Sequence, residues 1–162
     1  MSARGPLERV LADADSTERL GAALARALPP GGMQPVIVSL HGQLGAGKTT
    51  LVRGLLRELG VSGAVRSPSY TLLETYDCAD RRVLHLDLYR LAGSADVAGL
   101  GLRDELLPGV LLLVEWPERA AGSLPAADLE IWLFAPAEGR IARLQAEGPT
   151  GQAWLDVLGN QE

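Results

Sequence analysis

Gly42-Gln43-Leu44-Gly45-Ala46-Gly47-Lys48-Thr49 is the stretch from which the rest of the chain can be read. It satisfies G-x-x-x-x-G-K-[ST] in full, and at average composition the four fixed positions coincide by chance in under about 1% of chains this long. Before it, Val36-Ile37-Val38-Ser39-Leu40 is a short β-branched apolar run; after it, Thr49 to Leu59 carries apolar residues at helical spacing and stops at Gly60. Strand, glycine loop and helix in that order predict a phosphate-binding loop. The glycines let backbone N–H groups converge on phosphate oxygens with no Cβ in the way, and the helix N-terminus adds partial positive charge at the same place. Lys48 supplies a compact cation for the β- and γ-phosphates, and the Thr49 hydroxyl can serve Mg²⁺. Of 15 Lys and Arg residues only Lys48 is lysine, which places the one lysine where arginine is not its equivalent.

Working outward, residues 17–28 read as an amphipathic helix, opened by Ser16-Thr17-Glu18 and stopped by Pro29-Pro30-Gly31-Gly32. Residues 69–76 and 83–89 alternate like strands around a polar turn at 77–82, which predicts an antiparallel hairpin. Val110 to Val114 is uniformly apolar, as a strand buried on both faces is; residues 129–134 and 140–146 are further strands, and a short helix is expected from residue 152. The expectation is therefore an α/β chain, one P-loop NTPase domain spanning 1–162, with a central mixed sheet, a hairpin after the P-loop helix, and flanking helices.

The 162 residues, 47% hydrophobic and 22% charged, suffice for one ordinary core and exclude wholesale disorder. No apolar run reaches the roughly 20 residues needed to cross a bilayer, and the N-terminus carries no secretory pattern, so a cytoplasmic location without membrane attachment is expected. One cysteine, Cys78, excludes an internal disulfide, and with two histidines, His41 and His85, no Cys/His zinc site can be built. Any metal must then be oxygen-bound. A net charge of −5 and a single adjacent basic pair, Arg81-Arg82, argue against tight binding of a nucleic-acid backbone.

A P-loop that hydrolyses needs acids at the ends of neighbouring strands to hold metal and orient water. Glu115 directly follows the apolar run 110–114, and Asp87 lies near the end of a hairpin strand. Ser67-Pro68-Ser69-Tyr70-Thr71 carries three hydroxyls after a proline-fixed turn and could equally be a γ-phosphate-sensing segment or an ordinary turn. Trp116 could stack at the site or simply pack. A triad of Ser67, His85 and Asp87 is discounted as a coincidence of residue types, and His41 reads as a strand-end residue.

The residues resemble the TsaE family, formerly YjeE, the small ATPases of bacterial tRNA threonylcarbamoyladenosine synthesis. The match rests on Leu44 to Thr50, on Ser67-Pro68-Ser69-Tyr70-Thr71-Leu72, on His85-Leu86-Asp87-Leu88-Tyr89-Arg90-Leu91 and on Glu115-Trp116-Pro117, over about Thr17 to Arg140. The first block occurs in many P-loop proteins; the later three together are specific. The resemblance implies an ATP and Mg²⁺ site with Lys48, Asp87 and Glu115 in catalytic roles and Thr49 and Glu115 serving the metal. Gly42, Leu44, Gly45, Ala46, Gly47, Lys48, Thr49 and Thr50 would hold the nucleotide, with Trp116, Thr17 and Arg140 beside it. It also implies association with TsaD and TsaB, which act on adenosine 37 of tRNA, so that tRNA is met only through them. The family usually has Asp where this chain has Gln43, and Thr where it has Ser69.

Two other readings share the loop: a small-metabolite kinase and a nucleotide sensor that does not hydrolyse. Such kinases usually close an arginine-rich lid, and here Arg81, Arg82 and Arg119 are scattered with no lid-length insertion after Glu115. Weak, partner-stimulated ATP hydrolysis is the expectation.

Overall fold

The computed structural model describes residues 4–93 and 95–161. Strand β1 (Leu7–Leu11) and helix α1 (Ala14–Ala27) precede β2 (Val36–His41), which runs through the glycine loop into α2 (Lys48–Glu58). The hairpin strands β3 (Leu73–Asp77) and β4 (Arg82–Asp87) follow, then the single turns α3 (Ala95–Ala98) and α4 (Leu102–Glu105). Strand β5 (Leu111–Glu115), a 3-10 turn over Pro117–Ala120, β6 (Leu129–Phe134), β7 (Arg140–Ala146) and α5 (Pro149–Gly159) complete the chain.

Among the described residues seven strands form one mixed sheet in the order β1-β7-β6-β2-β5-β4-β3. Its centre is parallel, β2 pairing with β5 and β6 and β5 with β4, while β3, β7 and β1 join antiparallel at the edges. The apolar runs of β2 and β5 are buried on both faces, because α1, α2 and α5 cover one side of the sheet and α3, α4 and the 3-10 turn the other. In β4 and β5 the odd residues, among them Val83, Leu111 and Leu113, face the α2 side, and Leu84, Leu86, Leu112 and Val114 face away. That alternation turns His85, Asp87 and Glu115 towards α2.

Helices α1 and α2 meet backbone to backbone. A Cβ on Gly21 would lie 2.1 Å from the Leu51 carbonyl oxygen, and one on Gly54 2.1 Å from that of Glu18. This approach draws the start of α1 onto the glycine loop: the Thr17 methyl lies 3.4 Å from where a Gly47 Cβ would stand.

Several boundaries differ from expectation. Helix α1 begins at Ala14, because the Asp13 carboxylate accepts from the Ser16 N–H at 2.8 Å and so caps the helix three residues early. Residues 69–72 turn instead of pairing: Leu72 has φ 67° and its N–H donates to Pro68 O at 2.6 Å, so β3 starts only at Leu73. Strand β4 ends at Asp87, two residues short of the expected 89. Strand β1 was not anticipated, since apolar Val10 points outward and is 82% exposed while Arg9 is the half-buried neighbour. Helix α5 starts at Pro149, the first-turn position that proline's missing N–H suits.

Candidate functional site

The loop leaves β2 at His41 and enters α2 at Lys48. Gly42 and Gly47 have φ of 152° and 109°, and side chains there would strike Leu133 O at 2.7 Å and Arg140 Nη1 at 2.9 Å. The positive φ strains any residue with a Cβ at either position, and at Gly42 the obstructing atom is backbone. Ala46 N–H turns back to Gln43 O, and Leu51 N–H makes the first helical bond to Gly47 O. Among the described residues the N–H groups of Gly45, Gly47, Lys48 and Thr49 have no acceptor. A helix N-terminus bearing such donors is an anion site.

Lys48 is 5% exposed. Its ammonium donates to Gly42 O and, at 3.1 Å, to Gln43 O, and lies 4.0 Å from the centre of the Trp116 ring. Burial pushes its pKa below the ordinary lysine value, against the opposing pull of Glu115, Asp87 and Glu118. Trp116 reaches this position because it adopts φ 60° immediately after β5. Tyr89 packs on it at 5.1 Å between ring centres.

Glu115 and Asp87 are register partners at the ends of β5 and β4. The Thr49 hydroxyl donates to Glu115 and is 3.0 Å from both carboxylate oxygens. The His85 Nε2–H donates to Glu115 Oε2 at 2.6 Å. Asp87 accepts from the Ser67 hydroxyl on Oδ2 and from the Tyr89 N–H on Oδ1 at 3.0 Å, while its own N–H donates to Leu72 O at 3.0 Å. The segment 67–72 is therefore fastened to Asp87 at both ends.

A cleft of about 390 Å³ gathers Leu44, Gly45, Gly47, Lys48, Thr49, Thr50, Asp87, Glu115, Trp116 and Arg140 from the expected set, with Ser67, Ser69, Tyr89 and Arg90 added. Gly42 and Ala46 face a second groove on the far side of the loop, beside Trp132 and Phe134. Thr17 is buried behind Gly47, its hydroxyl donating to Asp13 O, and does not line the cleft. A larger groove of about 850 Å³ lies between α3–α4 and residues 122–125, but its charged lining is limited to Arg103 and Asp104. His85 is the contact that sequence reasoning missed. The available signal was parity: positions 85, 87 and 115 share one face once β4 and β5 pair.

The family model "Threonylcarbamoyl adenosine biosynthesis protein TsaE" matches residues 11–142. A tRNA threonylcarbamoyladenosine biosynthesis protein TsaE from Haemophilus influenzae is 39% identical over 125 residues, 77% of this chain and 79% of that one. The protein of the same name from Treponema pallidum is 36% identical over 126 residues, covering 78% and 90%. Among solved structures, Bacillus subtilis YdiB superimposes with a TM-score of 0.75 at 25% identity over 96% of this chain and 95% of that one. The match runs from the end of β1 into β7 and takes in the glycine loop, both carboxylates and Arg140, and on that extent the chain belongs to the TsaE family.

Proposed function

We propose that the cleft binds ATP with Mg²⁺ and hydrolyses it slowly, as the ATP-driven component of threonylcarbamoyl modification of tRNA adenosine 37, acting in the cytoplasm through TsaD and TsaB. The observation that carries this reading is the unpaired amides of residues 45 and 47–49 at the start of α2, beside a cleft that also holds the Lys48 ammonium, the Thr49 hydroxyl and the carboxylates of Asp87 and Glu115.

Thr49 and Glu115 offer Mg²⁺ only hard oxygen donors, already in contact with each other. Among the described residues no three His, Cys, Asp or Glu side chains gather into a metal cluster. Two protein ligands are too few for Mg²⁺ alone and suit a cation that takes its remaining ligands from phosphates and water. When bound, Mg²⁺ neutralises charge developing on the phosphate oxygens.

The chain's own residues then divide the work. Loop amides hold the phosphates, and Lys48, resting on the carbonyls of Gly42 and Gln43, is the cation that turns to them. Asp87 uses two acceptor positions on Ser67 and Tyr89 and keeps others for a water to be aligned for attack. Arg140 brings a second cation to Gly47. Arg90 lies 4.4 Å over the Tyr70 ring and Arg119 5.8 Å from Trp116, so both are engaged with aromatic rings. This supports slow intrinsic turnover, because an arginine aimed at the transferring phosphoryl group is the usual accelerator.

Steady-state phosphate release tests the reading. It is expected to require Mg²⁺, to rise when TsaD and TsaB are added together, and to be unmoved by tRNA alone. Release that ignores Mg²⁺, or that the protein partners leave unchanged, overturns it.

A further inference from the structure

Glu115 is presented to the cleft by two donors that differ in what they can specify. The Thr49 hydroxyl is 3.0 Å from each carboxylate oxygen, so it holds the group without selecting its plane. The terminal torsion of a glutamate is broad and nearly two-fold, which leaves the carboxylate free to rotate under such a contact. His85 touches one oxygen alone, Oε2, at 2.6 Å. A carboxylate only accepts, so Nε2 carries the proton.

His85 is also an expensive residue for its place. It sits at mid-strand between Glu74 of β3 and Leu113 of β5, is wholly buried, and its Nδ1 has no partner among the described residues. A buried polar atom left unpaired destabilises a fold, and an aliphatic side chain on this face of β4, where Val83 already packs, would avoid that cost. Among the described residues the contact to Glu115 is the one polar interaction the imidazole makes.

We propose that His85 is a positioning residue for the metal carboxylate: its Nε2–H fixes the plane of Glu115 so that one defined oxygen arrangement, together with Thr49, meets Mg²⁺. This rests on the reading of Glu115 as a metal ligand. Partners that orient a metal-binding carboxylate typically change metal affinity 10- to 100-fold when removed. Substitution to Leu removes the donor. Substitution to Gln keeps an N–H near the position of Nε2.

The test is Mn²⁺ binding followed by electron paramagnetic resonance in the ADP complex, with ADP affinity in EDTA measured separately. His85→Leu is expected to weaken Mn²⁺ by about 10-fold or more and to leave ADP affinity in EDTA unchanged, and His85→Gln to restore most of the loss. Equal weakening in Leu and Gln variants would assign the effect to ring packing and overturn the proposal. If His85→Leu binds Mn²⁺ normally while Glu115→Gln does not, the positioning role fails and the metal reading stands. If Glu115→Gln also binds normally, the metal reading itself fails. Should His85→Leu not fold, ¹⁵N-histidine spectra of the unsubstituted protein decide: an Nε2–H resonance for His85 that shifts on adding Mg²⁺ to the ADP complex supports the proposal, and an Nδ1–H tautomer overturns it.

Discussion

Replacing Gly54 by alanine sets two effects of opposite sign against each other. On an exposed helix the change is stabilising by about 1 kcal/mol, because alanine restricts the unfolded chain more and favours the helix. Here the new Cβ would lie 2.1 Å from Glu18 O and 2.7 Å from Glu18 C and Cα. Ordinary contact begins near 3.4 Å, so α1 must lift from α2 by about 1.3 Å. The obstructing atoms are backbone, so no rotamer change relieves the clash, and the cost belongs at the upper end of overpacking, about 3 kcal/mol. The net expectation is a destabilisation of about 2 kcal/mol, which for a chain of this size lowers Tm by about 4–8 °C. Thermal melts followed by circular dichroism, with a urea midpoint as second measure, read it directly. An unchanged or raised Tm for Gly54→Ala would refute the claim that the helices touch through their backbones. Because Thr17 packs on Gly47, ADP affinity is expected to fall together with Tm.

Other outcomes follow from the site and its caps. Lys48→Arg is expected to lose ADP binding nearly as completely as Lys48→Ala, since the space bounded by Gly42 O, Gln43 O and the Trp116 ring is fitted to an ammonium; calorimetry with normal affinity for the arginine variant would contradict this. Glu115→Gln and Asp87→Asn are expected to cut phosphate release far more than ADP affinity, which the loop amides and Lys48 supply; equal losses in both assays would point to a structural role. Asp13 has its pKa held below the ordinary aspartate value by hydrogen bonds from the Ser16 side chain and backbone, with Arg19 nearby. A depressed carboxylate contributes stability above its unfolded pKa and loses it as pH falls through the folded one. The urea midpoint of Asp13→Ala is thus expected to lie below that of the unsubstituted protein at pH 7, and the gap to close as pH falls below the ordinary aspartate value of about 3.9. A gap that widens on acidification would reject the cap.

The glycine loop, β2, α2 and Glu115 were legible because each is a local pattern: a fixed motif, an apolar run, a helical period, an acid closing a buried strand. The hairpin was legible in type but not in extent, since only the left-handed Leu72 reveals that pairing starts at Leu73. Strand β1 was hidden because its outward valine and inward arginine invert the usual alternation. Helices α3 and α4, at four residues each, are too short to show a period. The reason for glycine at positions 21 and 54 is the opposite helix, which no local window contains. The contact of His85 with Glu115 spans 30 residues and exists only through strand pairing. Family likeness supplied Arg140 and Thr17; the fold sets the first in the cleft and the second behind it.

The double fastening of residues 67–72 to Asp87 bears on how experiments at that aspartate are interpreted. One knot, Asp87 N–H to Leu72 O, is backbone and survives any non-proline substitution; the other, Ser67 to Asp87 Oδ2, is a side chain and can be cut. Asparagine removes the charge but retains a carbonyl that can accept from Ser67, whereas alanine removes charge and knot together. Asp87→Ala therefore frees one end of a short loop whose tip carries Tyr70, 83% exposed, and any defect it shows mixes lost chemistry with a loosened surface. Ser67→Ala isolates the second effect with the carboxylate intact. Comparing the three variants separates the loss of the Asp87 charge from the change in shape of the surface around Tyr70.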